Sequence, residues 1–244
     1  MVLRIASLIL LSNMLSGFTL ISGPEAATLP VDPSQPAITF GLHPDMPKIK
    51  NKAEYKNGTY ADLSDEEFWL MLVNMAMQPW NDVEGAYVEM NAEIDANARL
   101  DSEDRLFSIV TDSTVATVAA SAMPNVEEGQ ISDCDIQVGS RSVEAGQLAF
   151  TLMHEMGHCL GLGHNHSDYN AVMSYARSSY KLRLGADDKA GVIYLYPDGT
   201  TDSQPKELVA CGTLRKTKGN RAALVLFLIP CFVWCVGRMR RLAV

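Results

Sequence analysis

The spacing of His154, Glu155, His158, Gly161 and His164 constrains this 244-residue chain more than any other feature, because it requires a helix to end at one glycine. Histidines four apart on a helix share a face about one turn from each other, so His154 and His158 can offer imidazoles to a single metal ion. Glu155 stands beside them. His164 reaches the same ion only if the chain turns at Gly161. Glycine tolerates the left-handed conformation that closes a helix, and Gly163 is placed to ease the same bend. Three neutral imidazoles leave a fourth zinc position open to water, which is the arrangement of a catalytic rather than a structural centre. A carboxylate next to that water is placed to take its proton. The bland alternative is a buried amphipathic helix carrying unrelated histidines, and it leaves the glycine and the third histidine without a reason.

The run His-Glu-Met-Gly-His-Cys-Leu-Gly-Leu-Gly-His at 154–164 resembles the metzincin metallopeptidases, whose motif H-E-x-x-H-x-x-G-x-x-H is followed by a Met-turn. Met173, in Ala171-Val172-Met173-Ser174-Tyr175, stands where that turn is expected. The resemblance gives it a packing role as a floor under the three histidines. Within the metzincins, the short spacer and residues 185–197 look most like the matrixins, which close their catalytic domain with a helix of this type. The likeness covers residues 37–198 and is strongest over 147–197. It implies an α+β catalytic domain, with a twisted mixed sheet, an active-site helix and a C-terminal helix. It also implies one catalytic zinc and hydrolysis of peptide bonds.

Two features depart from the matrixin pattern. Tyr175, two residues past the methionine, resembles the serralysin and astacin branches, where a tyrosine there approaches the metal or hydrogen-bonds the oxyanion. Here it is either such a group or a packing residue. Animal matrixins carry a second zinc held largely by histidines, but His43 and His166 are the only two left over and cannot rebuild that site. His166 reads as an exposed loop residue rather than a ligand or substrate contact.

Apolar segments flank the domain. An N-terminal stretch from Ile5 to Ile21 after Arg4 reads as a signal peptide over residues 1–27, with Ala26 and Ala27 as cleavage candidates and an uncleaved anchor as the alternative. Residues 28–200 are then the peptidase domain and 201–221 a linker containing Cys211-Gly212. Residues 222–237 are wholly apolar, and Arg238, Arg240 and Arg241 follow. At 1.5 Å per residue that stretch spans about 24 Å, short for a hydrocarbon core, and Pro230 would kink it without preventing insertion. The segment 222–244 therefore reads as a transmembrane tail or a bacterial-type sorting signal. In the second case Cys211 is a processing or attachment site. Either way the domain is expected outside the cytoplasmic membrane, at the cell surface or released.

Of the five cysteines, Cys134 and Cys159 lie in the folded domain. The resemblance brings the strand near Cys134 close to the active-site helix, so these two form a candidate disulfide, which an oxidising compartment would preserve. No cysteine precedes Cys134, so the matrixin latency device, a pro-segment cysteine on the zinc, is missing. The formal net charge of −9 argues against nucleic acid as a partner. Asp101, Glu103 and Asp104, or Asp133 and Asp135, could offer oxygens to Ca²⁺. No complete calcium loop is present, and a solvated acidic surface is the simpler expectation.

The chain between the ends supports the same architecture. Residues 37–42, 87–90, 106–110 and 131–138 read as strands. Ser64 and Glu67 form a capping box ahead of a helix through Met77, and the active-site helix is expected to begin near Ser142. The resulting expectation is a monomeric, exported zinc endopeptidase acting on protein or peptide. In it His154, His158 and His164 hold the metal and Glu155 acts as general base. The rival readings are a catalytically silent, zinc-stabilised surface binding protein and a zinc hydrolase of a cell-wall component.

Overall fold

Ser64 opens the longest helix by the predicted reciprocal cap: its hydroxyl oxygen accepts from Glu67 N at 3.2 Å, and its own N–H donates to Glu67 Oε2 at 2.7 Å. The computed structural model describes residues 18–21, 26–29, 37–57, 60–116, 119–165, 168–175 and 181–198. Seven strands and four helices lie along them. They are β1 (Thr19–Leu20), β2 (Ala37–Leu42), α1 (Lys52–Tyr55), α2 (Asp65–Asn81), β3 (Glu89–Ile94), β4 (Phe107–Asp112), β5 (Ala120–Glu127), β6 (Gln130–Gly139), α3 (Ala145–Cys159), β7 (Leu162–Gly163) and α4 (Ala186–Leu195).

Five strands form one mixed sheet in the order β3-β2-β4-β6-β5. β3, β2, β4 and β6 run parallel, and β5 is antiparallel to β6 at the edge. The helices α2 and α3 pack on each other, α2 also against β3, and α3 against β5 and β6. The apolar positions of α2 explain this: Phe68, Trp69, Leu72, Val73, Ala76, Met77 and Trp80 recur at helical spacing and are all buried. They meet Leu148, Ala149, Leu152, Met153 and Met156 of α3 over Phe40, Leu42, Ile109 and Ile136 of the sheet. Trp80 Nε1 donates to Met153 O at 3.0 Å and fixes the height of α3 beside α2. The domain is of the expected α+β class, with an active-site helix and a C-terminal helix on a twisted mixed sheet.

Some boundaries differ from the sequence reading. α3 starts at Ala145, not near Ser142, because its first turn is capped from a distant segment: Ala145 N donates to Asn51 Oδ1 at 2.8 Å. The strand expected at 87–90 begins at Glu89 and runs on to Ile94, paired along its length with β2. β5 has no counterpart in the sequence reading. It mixes small, polar and apolar residues without alternation and carries Pro124 in the middle, which is tolerated at a sheet edge. Among the described residues no helix is long and apolar enough to cross a membrane. The apolar tail at 222–237, Cys211, and most of the N-terminal apolar stretch lie outside the described residues.

Candidate metal centre

The helix α3 brings His154 and His158 onto one face, and the chain leaves it through Leu160 and Gly161. Gly161 has φ +95°, as its role in the turn requires, and a β-carbon there would lie 2.3 Å from Ala27 O. Gly163 is needed for a different reason than the bend: its φ is not positive, but a β-carbon would fall 2.9 Å from Leu20 O. After this turn His164 comes back toward the helix. Its Nε2 lies 3.1 Å from His154 Nε2 and 3.1 Å from His158 Nε2.

The other ring nitrogens settle the tautomers of the two helical histidines. His154 Nδ1 is 2.7 Å from Val172 O, and His158 Nδ1 is 2.8 Å from Leu162 O. A carbonyl can only accept, so each Nδ1 carries the proton and each Nε2 turns an unprotonated lone pair inward. Both lone pairs are turned toward His164 Nε2, each at 3.1 Å, so the three Nε2 atoms converge on one point. Zn–N bonds of about 2.0–2.1 Å in a tetrahedron separate ligand nitrogens by roughly 3.3 Å, so the arrangement fits a zinc ion, with backbone carbonyls orienting the rings. Burial lowers the pKa of His158, and its bond to Leu162 only partly offsets this, so the ring remains a neutral ligand near pH 7. Among the described residues this is the one group of three metal-ligating side chains that converges. His43 sits apart, its Nδ1 accepting from Asp45 N at 3.2 Å, and His166 lies outside the described residues.

Glu155 is 8% exposed and points to the sheet edge, where its Oε2 accepts from Ala122 N of β5 at 2.8 Å. Burial pushes its pKa up to about 7, against the opposing pull of that N–H. Met173 is buried against α3, next to Gly157. Tyr175 is exposed, yet its ring stacks on His164 with centroids 3.8 Å apart and 28° between planes. Cys134 and Cys159 form a disulfide joining β6 to the last residue of α3, one position past His158.

The sequence reading did not single out Asp188. It is 1% exposed in the first turn of α4, and its carboxylate accepts from Val172 N at 2.5 Å, Gly185 N at 2.7 Å and Met173 N at 3.1 Å. It thereby clamps the turn whose Val172 carbonyl orients His154. A carboxylate at the third position of a helix could have been read as a cap, but nothing local tells that it holds the methionine loop as well. Of the acidic groups considered for calcium, Asp133 and Asp135 are 0% and 1% exposed, so the expectation of a solvated surface fails for them. Glu103 is exposed, and Asp101 N donates to Asp135 Oδ2 at 2.7 Å.

Comparison with curated proteins returns no match. The family model of the matrixins matches residues 49–197, which include the whole three-histidine cluster, the methionine turn and α4. With the metal-ready geometry of His154, His158 and His164, that match makes this chain a zinc metallopeptidase belonging to the matrixin family.

Proposed function

We propose that the chain is an exported, membrane-associated zinc endopeptidase in which His154, His158 and His164 hold the zinc and Glu155 is the general base. The observation that carries this is the placement of Glu155, a buried carboxylate that follows His154 on the helix bearing two of the histidines and has one oxygen held by the edge strand. The chemistry supplied by zinc at such a site is Lewis acidity, which polarises the scissile carbonyl and lowers the pKa of a water toward about 7. Glu155 removes the proton of the attacking water and later hands it to the leaving amine. A carboxylate held in place beside the open metal position is suited to both transfers. The anchor at Ala122 N holds the side chain so that no reorientation is needed between them.

The edge strand β5 offers backbone groups to an extended peptide laid beside the site, which favours a protein or peptide substrate. Tyr175, stacked on the third histidine, supplies its hydroxyl to the oxyanion that develops on the substrate carbonyl. Export rests on the N-terminal apolar stretch, and membrane association on residues 222–244. The enzyme acts as a monomer, without nucleic acid.

The test is metal content together with cleavage of a diverse peptide library, measured on the full-length chain in detergent and on its Glu155→Gln variant. One zinc per chain in both proteins, with turnover lost in the variant, is the expected result. Zinc bound without cleavage of any peptide by the wild type would shift the reading to a silent binding protein or to a non-peptide substrate.

A further inference from the structure

The turn that carries His164 is held from two sides. Within the domain, His158 Nδ1 binds Leu162 O, Gly161 N donates to His158 O at 2.9 Å, and Tyr196 Oη donates to Leu160 O at 2.8 Å. From outside, the N-terminal residues add a second layer. β1 pairs antiparallel with β7, Thr19 opposite Gly163 and Leu20 opposite Leu162, and Ile21 N donates to Gly161 O at 3.1 Å. The Thr19 hydroxyl donates to the carbonyl of His164 itself at 2.6 Å. A little further along, Leu29 N donates to Tyr196 Oη at 3.0 Å, and Thr28 bridges Gly129 and Ile131 through its backbone.

The seat for this segment is written into three glycines of the domain. A β-carbon on Gly161 would lie 2.3 Å from Ala27 O, on Gly163 2.9 Å from Leu20 O and 3.1 Å from Thr19 Oγ1, and on Gly191 3.2 Å from Phe18 Cβ. Phe18 also lays its ring 5.2 Å from that of Tyr194 on α4. Approaches this close exist only where the glycine carries no side chain: Gly161 faces Ala27, Gly163 faces Thr19 and Leu20, and Gly191 faces Phe18 together with Leu162.

From these contacts we propose that Thr19 is a positioning residue for the third zinc ligand, His164, and that the working enzyme keeps Phe18–Ile21 as a strap across the ligand-bearing turn. The proposal rests on the zinc-peptidase reading above. A cut at Ala26 or Ala27, where small residues suit a signal peptidase, removes β1 and takes the Thr19 hydroxyl from the His164 carbonyl. Processing of the active form therefore falls before Phe18 or does not occur. Outer partners that orient a metal ligand set its affinity, with losses of about 10-fold and upward when one is removed.

The experiment uses the full-length chain expressed with its own N-terminus and purified in detergent. Its N-terminal residue is determined on the zinc-loaded, active fraction, and zinc affinity is measured by competition with a chelator for Thr19→Val, Thr19→Ser, Gly163→Ala and the double variant Thr19→Val/Gly163→Ala. Thermal melts check that each variant is folded. The active fraction is expected to retain Thr19. Thr19→Val should weaken zinc binding by about 10-fold, Thr19→Ser should restore it, and the double variant should lose little more than either single change, since both break the same contact. An active fraction whose N-terminus lies beyond Ile21, or a Thr19→Val variant with wild-type zinc affinity, overturns the strap while leaving the zinc peptidase intact. A wild-type chain that binds no zinc removes both.

Discussion

The sulfur of Met173 occupies the space that a side chain on Gly157 would need: a β-carbon there would fall 2.3 Å from Met173 Sδ and 3.1 Å from the Trp80 ring. Gly157 sits between His154 and His158 on α3, so the methionine turn can press against the helix at the level of the metal ligands only because that residue is glycine. Both neighbours are buried, Met173 at 2% exposure and Trp80 at 0%, and have little room to move aside.

Substituting Gly157 by Ala should therefore overpack the site and destabilise the zinc-loaded protein by about 1–3 kcal/mol. Denaturant unfolding measures this. The penalty should shrink when Met173 is replaced by Ala in the same chain. An equal penalty in both backgrounds would assign the strain to Trp80 instead.

The disulfide gives a second prediction. Cys134 and Cys159 are 25 residues apart, and a bond closing such a loop removes enough unfolded-state entropy to contribute about 3 kcal/mol in the chain-entropy account. Both cysteines are buried, so replacing the pair by Ala also leaves a small cavity where the sulfurs sat. A double Cys134→Ala/Cys159→Ala variant should unfold at lower denaturant by that order and bind zinc less tightly, because the cross-link fixes the end of α3 directly after His158. A double variant with wild-type zinc affinity would confine the disulfide to global stability.

Several of these relationships could be read from the sequence, and the rest could not for identifiable reasons. His154, Glu155, His158, Gly161 and His164 were legible because their constraint is local: one helix, one turn, one fixed spacing. The Ser64–Glu67 cap was legible on the same ground. The start of α3 was misplaced because its cap comes from Asn51, ninety-four positions away. β5 was missed because Ala120–Glu127 lacks apolar alternation and becomes a strand through its pairing with β6. Asp188 looks like an ordinary first-turn acid until Val172 and Met173 are seen folded over it. Asp133 and Asp135 looked solvated because strands with polar residues usually face water, whereas here both are buried.

Tyr175 supplies a third prediction, since its ring is fixed by stacking on His164 whether or not its hydroxyl takes part in the reaction. Replacement by Phe keeps the ring and removes only the hydroxyl. If that group donates to the oxyanion, kcat should fall by about 10²-fold with KM little changed, the range seen when one such donor is lost. Steady-state kinetics on a cleaved library peptide decides it. An unchanged kcat would leave Tyr175 as a packing partner of the third ligand.

The buried carboxyls of β6 make stability depend on pH in a direction opposite to that of an ion-paired acid. Neither oxygen of Asp133 has a well-formed hydrogen bond, and burial, with the nearby carboxyls of Asp135 and Asp104, pushes its pKa up to about 6 against the weaker pull of the Arg105 N–H. Burial also raises Asp135. In the unfolded chain an aspartate titrates near 3.9. Between about 4 and 6 the folded protein thus holds more protons than the unfolded one, and stability falls as pH rises through that window. Asp133→Asn removes the buried charge, so it should raise the melting temperature at pH 7.5, with the gain vanishing below pH 4. Melts in millimolar calcium complete the test: a calcium-dependent rise in the wild type that is absent from Asp133→Asn would mean that these carboxylates hold a cation, and the substitution would then destabilise at neutral pH.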